Sequence, residues 1–200
     1  MPDAITSQLE RARALGFLGP GPVEEHVEHA SGFLRALAGA IGLVVDLGSG
    51  GGVPGLIVAS ARPDLELVLV DAMAKRCQFL EEAVVALGFG ARVTVVQGRA
   101  EVVGRGTRRG TAAAVLARGF GPPAVTAECA APLLLVGGRL IVSEPPSTVD
   151  RWPVAELSVL GLQPQVRLPG PPVIQVLEQV SPCPARFPRR DGMPAKRPLF

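Results

Sequence analysis

Two hundred residues, 48% of them hydrophobic and 19% charged, with a mean hydropathy of +0.33, are enough for one domain with a short extension and too apolar for a disordered chain. No unbroken apolar run is long enough for a membrane span, Met1-Pro2-Asp3 lacks the start of a secretory leader, and Cys77, Cys129 and Cys183 are too scattered for a disulfide framework or zinc site, so a reducing cytoplasm is expected. The net charge of +2 divides into −5 over residues 1–91 (6 basic, 11 acidic) and +7 over 92–200 (14 basic, 7 acidic), which directs any polyanionic partner to the C-terminal half.

Residues 1–40 read as a helical cap: a helix carrying Ile5, Leu9 and Leu15, the break Gly19-Pro20-Gly21-Pro22, and a second helix over 24–37 with acids in its first turn. Residues 41–182 then alternate short β-branched runs with helices. Strands are expected over 43–47, 65–71, 92–96, 112–117 and 139–143. Met73, Cys77, Leu80, Val84 and Leu87 share one helix face, and a helix over 124–135 ends at Gly137-Gly138. Continuous apolar strands between amphipathic helices predict a parallel sheet covered on both faces. A helix over 149–160 and two strands, 163–168 and 173–180, around Gly170-Pro171-Pro172 add an antiparallel closure. Residues 183–200 are rich in proline and arginine and read as an extended basic tail.

The sharpest signal is Asp46-Leu-Gly-Ser-Gly-Gly-Gly-Val-Pro-Gly55, which follows the first strand and opens a helix. Its glycines permit positive φ and let a ligand approach the backbone. Gly50, Gly52 and Gly55 also satisfy G-x-G-x-x-G, so a nicotinamide dinucleotide is one candidate ligand. Asp46 tips the reading toward S-adenosylmethionine, since an anion there repels pyrophosphate and suits a cationic amino-acid moiety. Asp71, ending the second strand, suits ribose hydroxyls in either case.

These residues, with Ala61-Arg62-Pro63-Asp64, Lys75-Arg76-x-x-Phe79-Leu80, Gly98-Arg99-Ala100-Glu101, Ala117-Arg118 and the tail from Phe187 to Leu199, resemble the RsmG (GidB) family. These are bacterial enzymes that methylate N7 of a guanine in 16S (small-subunit) ribosomal RNA. The resemblance implies a Rossmann-like class I methyltransferase: a seven-stranded, mostly parallel sheet with an antiparallel C-terminal strand. It further implies that Gly48, Ser49, Gly50 and Gly52 border the methionine part of S-adenosylmethionine, Asp71 holds the ribose, and Ala100 and Glu101 lie by the adenine. Arg118 would face the acceptor. Ser143-Glu144-Pro145-Pro146 replaces the family's Lys-Gly, exchanging a cation for an anion near the substrate mouth.

Methyl transfer from a sulfonium is an in-line displacement, and guanine N7 already presents its lone pair. The site therefore needs alignment and not a general base. Phe120 is the candidate stacking platform, and Arg189, Arg190, Lys196 and Arg197 are candidates for phosphate contacts. His26 and His29, with Glu25 and Glu28, imitate a metal set but read as a solvated helix face; no metal is expected. The expected partner is small-subunit ribosomal RNA or the ribosomal particle, with the chain monomeric and off the membrane. The rival readings are a methyltransferase of the same fold acting on a small molecule or another RNA, a cofactor-binding RNA-associated protein without turnover, and a nicotinamide-dependent dehydrogenase.

Overall fold

The computed structural model describes residues 2–146 and 149–200. Helices α1 (Pro2–Ala14) and α2 (Val23–Ala36) flank the Gly/Pro break, where proline removes N–H donors. Glu24 and Glu25 in the first turn of α2 and Arg35 in its last complement the helix dipole. Strands β1 (Leu43–Leu47), β2 (Glu66–Asp71), β3 (Val93–Gln97), β4 (Ala112–Ala117) and β5 (Leu134–Glu144) alternate with α3 (Gly55–Ala61), α4 (Ala74–Ala86), α5 (Ala100–Arg105) and α6 (Pro123–Ala130). Helix α7 (Val154–Ser158), strands β6 (Leu162–Leu168) and β7 (Val173–Gln179), and the short α8 (Met193–Lys196) complete the chain.

The seven strands lie in the order β3-β2-β1-β4-β5-β7-β6. The first five are parallel, and β7 runs antiparallel to both β5 and β6. This is the Rossmann-like architecture expected. Strand order reverses between β1 and β4, and the crevice outside their carboxyl ends is where such sheets bind ligands. Side-chain alternation divides the core into two layers. Val44, Leu67, Leu69, Ala114 and Leu116 pack with residues of α1–α4. Val45, Val68, Val70, Val115 and Ala117 pack toward α6, Trp152 and Phe187. Arg62 ties the N-terminal helices to the sheet, donating to the carbonyls of Leu37 (3.0 Å) and Ala40 (2.7 Å) while paired with Asp64.

Three expectations for local structure are corrected. Helix α6 stops at Ala130, followed by a tight 3-10 turn over Ala131–Leu133, because Pro132 supplies no N–H to continue it. The Gly137-Gly138 pair then sits inside β5 instead of stopping a helix. The register against β4 shifts there, and a Cβ on Gly138 would lie 2.8 Å from the carbonyl oxygen of Ala112. Helix α7 begins only after Pro153.

The third correction concerns the tail, which is folded back instead of extended. Glu128 of α6 is fully buried, and a buried carboxylate requires a cation or several donors. Arg189 meets it through its backbone N–H and Nε on Oε1 (2.9 and 2.8 Å) and through Nη2 on Oε2 (2.5 Å). Arg109 donates to the carbonyls of Cys183 and Phe187 (both 2.7 Å) and Pro184 (3.0 Å), and Arg105 pairs with Asp191. Arg189 is thus committed to holding the tail, whereas Arg190, Lys196 and Arg197 are exposed. Removing one partner of a buried ion pair typically costs about 3–5 kcal/mol, while exposed substitutions stay within about 0.5 kcal/mol. Urea unfolding of Arg189→Ala should therefore show a loss near 3 kcal/mol or more, with Arg190→Ala close to the parent; equal effects would disprove the clasp.

Candidate active site

The glycine-rich turn between β1 and α3 is pinned by two carboxylates. Asp71 Oδ2 accepts the N–H of Gly50 (2.9 Å) and Oδ1 that of Met73 (2.8 Å), with Arg76 Nη1 3.7 Å from Oδ2. Asp46 Oδ2 accepts the N–H of Gly55 (3.1 Å), and Ser49 Oγ donates to the Asp46 carbonyl (2.9 Å). Gly48 has φ +71°, and both Gly48 and Ser49 donate backbone N–H to the carbonyl of Val70 (2.8 and 3.0 Å). A Cβ on Gly55 would meet Asp46 Oδ2 and Leu69 Cδ2, both at 2.5 Å, so only glycine lets α3 start this close to β1.

A cleft of about 240 Å³ opens beside this turn at the carboxyl ends of β1 and β2. Gly48, Asp71, Met73, Arg76, Gly98, Ala100 and Phe120 are among the residues lining it. The Phe120 ring lies over Gly48, where a Cβ would come within 2.9 Å of Cδ2, and so narrows one end. A carboxylate has about four lone-pair sites, and two N–H donors leave Asp71 further acceptor capacity on the cleft wall. Met73, Val70 and Ala100 supply apolar wall. This combination fits an adenosyl group: hydroxyl acceptors at one point and a flat apolar slot beside it.

Of the expected cofactor residues, the structure brings Gly48, Asp71 and Ala100 to the cleft. Ser49, Gly50 and Gly52 are buried within the turn and shape it from beneath. Asp46 is 1% exposed, and its carboxylate is turned under the loop onto Gly55; the expected contact with a ligand ammonium gives way to this buried role. Burial, the largest influence, pushes its pKa up to about 7, against the lowering hydrogen bonds and Arg118. Glu101, expected beside adenine, instead accepts the N–H of Gly192 on Oε1 (2.9 Å) and so anchors the tail. Glu144, the anion replacing the family's cation, is buried and paired with Arg151 (3.2 Å), which neutralises it.

Arg118, just beyond β4, is half-buried, and its Nη2 lies 2.7 Å from His26 Nδ1. His26 is itself 5% exposed, correcting the reading of a solvated histidine face. Burial and then Arg118 hold the pKa of His29 down at about 4. Arg76 and Met73 also line the cleft, beyond the expected set. For Arg76 the sequence signal is a cation five positions beyond the strand-end carboxylate.

A family model described as rRNA small subunit methyltransferase G (GidB) matches residues 24–152. A "Ribosomal RNA small subunit methyltransferase G" of Rubrobacter xylanophilus is 36% identical over 98% of this chain and 80% of its own. The protein of that name from Roseiflexus castenholzii is 37% identical over 78% of this chain and 70% of its own. The solved antibiotic-resistance methyltransferase Kmr superposes with a TM-score of 0.55 at 17% identity, over 76% of this chain and 93% of that one, which is a likeness of fold.

The ordinary pKa of Asp46 is 3.8, so between about pH 4 and 7 the folded state holds a proton that the unfolded chain has released. Stability contributed by that proton is complete below pH 4 and is lost as pH rises toward 7. Asp46→Asn keeps an acceptor for Gly55 without the buried charge. Its thermal midpoint should equal or exceed the parent's at pH 7, and its stability should vary less with pH between 4 and 7; a parallel pH profile would contradict this. Gly55→Ala should lose roughly 1–3 kcal/mol in chemical unfolding through overpacking.

Proposed function

Because the chain belongs to the GidB family of rRNA small subunit methyltransferases, we propose that it transfers a methyl group from S-adenosylmethionine to N7 of a guanine in 16S ribosomal RNA. The observation that carries the reading is the cleft at the β1 and β2 tips, where Asp71 and Gly48 meet an apolar wall and Phe120 stands at the edge. Asp71 holds the ribose hydroxyls, and Ala100 and Met73 flank the adenine. The open backbone at Gly48 leaves room for the amino-acid end. When bound, S-adenosylmethionine supplies an electrophilic methyl group on a sulfonium.

The chain's own residues then have to align and dehydrate. Guanine N7 needs no deprotonation, so no side chain is asked to act as a base. Phe120 offers a ring face for a base taken out of its stack, a contact worth about 1–3 kcal/mol. Arg118 directs guanidinium N–H groups at the acceptor and orients the base against the methyl donor. Arg190, Lys196 and Arg197, exposed on the tail, contact phosphates, while Arg189 supports them through Glu128. The protein works in the cytoplasm as a monomer on the small-subunit particle or its RNA. Among the described residues no helix is long and apolar enough to cross a membrane.

Tritiated methyl transfer to small-subunit particles from a strain lacking the family enzyme tests the reading. Incorporation at a guanine, released as 7-methylguanine, is expected. Cofactor binding without incorporation would favour another acceptor or a non-catalytic role, and calorimetric binding of NAD alone would end the reading. Asp71→Ala should weaken S-adenosylmethionine affinity roughly 10- to 100-fold, the scale of hydrogen bonds to a charged group. RNA binding should fall with salt at about −0.7 log units per neutralised phosphate.

A further inference from the structure

The two ring nitrogens of His26 have different partners. Nδ1 lies 2.7 Å from Arg118 Nη2, and Nε2 lies 3.2 Å from the carbonyl oxygen of Gly19. A guanidinium has only donors, so Nδ1 must present its lone pair to it. Nε2 therefore carries the hydrogen and donates it to Gly19. A backbone carbonyl in the connection between α1 and α2 thus sets the tautomer, and the tautomer makes the ring an acceptor for arginine.

Among the described residues this is the only hydrogen bond of the Arg118 side chain, and no carboxylate comes within ion-pair distance. One of five guanidinium N–H groups is used, while the others keep their capacity for a ligand. A carboxylate in place of His26 would neutralise the cation; a neutral imidazole orients it and leaves its charge available. Asp46, whose charge acts on Arg118 through space, turns its carboxylate onto Gly55. His29, one turn further on the same helix, interacts electrostatically with both Arg118 and His26.

We propose that His26 is a positioning residue, which fixes the guanidinium of Arg118, next in the chain to the cleft residues Gly119 and Phe120, so that its free N–H groups meet the acceptor nucleotide. Helix α2 then does more than cover the sheet: it sets the orientation of a side chain delivered by β4. The acceptor role of Arg118 rests on the RNA-methylation reading above, but the hydrogen bond between the two side chains does not.

The test uses His26→Ala, His26→Gln, Arg118→Ala and the double variant His26→Ala/Arg118→Ala, with folding checked by circular dichroism. Methyl transfer to unmethylated small-subunit particles should fall roughly 10- to 100-fold in kcat/KM for His26→Ala, the range for losing a hydrogen bond to a charged group. S-adenosylmethionine affinity should stay within about twofold, because His26 does not line the cofactor cleft. His26→Gln, whose amide oxygen accepts as Nδ1 does, should recover most of the loss. The double variant should be no worse than Arg118→Ala. Additive losses, or a glutamine variant as impaired as alanine, would overturn the proposal.

Nitrogen-15 spectra of the unsubstituted protein and of Arg118→Gln give a readout that needs no substrate. His26 should show the Nε2–H tautomer, with its Nδ1 signal moving on Arg118→Gln. An Nδ1–H tautomer or an unmoved signal would refute the pairing. If particles accept no methyl group but the spectra show the pairing, the RNA reading fails while the hydrogen bond stands and the assignment of the acceptor nucleotide is withdrawn.

Discussion

Everything at the ligand-binding end of this molecule depends on two buried carboxylates that hold a strand-to-helix turn by its backbone. Asp71 grips the turn at Gly50 and Asp46 grips it at Gly55. A glycine-rich turn has much conformational entropy to lose on ordering, and hydrogen bonds to charged or desolvated acceptors offset that loss better than neutral ones do. The same constraint explains the close approach of α3 to β1, since Asp46 occupies the space a side chain at position 55 would need. It also shapes the cleft, whose floor is tied to the sheet at two points on neighbouring strands.

The alternation of elements was legible from β-branched runs separated by amphipathic stretches, and so was the position of the cleft, because a glycine turn after the first strand and an acid at the end of the second converge there. The different fates of the two acids were not. Register pairs Asp46 with Leu69 and Leu47 with Val70, so Asp71 extends past the end of β1 while Asp46 lies two positions deeper. Both point to the same face, but one reaches the crevice and the other is covered by α3. That distinction requires the strand pairing, which no local pattern contains. The pairing of His26 with Arg118 was hidden for a similar reason, joining residues 92 positions apart.

The basic C-terminal half shows how a charge count can mislead. Arg109 and Arg189 are turned inward, onto tail carbonyls and Glu128, and Arg105 is paired at the surface with Asp191. They fold the tail against α5 and α6, where Gly192 also donates to Glu101. The exposed cations of the tail are Arg190, Lys196, Arg197 and Arg186, the last stacked 5.0 Å over Phe187. A tail held by several bonds presents these cations at fixed positions. For a structured RNA partner that is an advantage over a flexible arm, because less ordering entropy is lost on contact.

The N-terminal helices and the tail cover opposite layers of the sheet, α1 and α2 packing with α3 and α4 while Phe187 packs with the layer of α6. The connection between α1 and α2 packs on the glycine turn beyond β1, with Leu18 against Gly51, and α2 reaches Arg118 beyond β4, so the N-terminal segment borders the crevice. The tail is anchored close to the same crevice, since Gly192 donates to Glu101, the neighbour of the cleft residue Ala100. Control of Arg118 by α2 and anchoring of the tail through Glu128 and Glu101 are then parallel devices: each terminal segment folds onto its own face of the sheet and is fixed there by polar groups. A small-molecule acceptor would need only the cleft. The placement of both terminal segments around it is what a nucleic-acid substrate, wider than the cleft itself, requires.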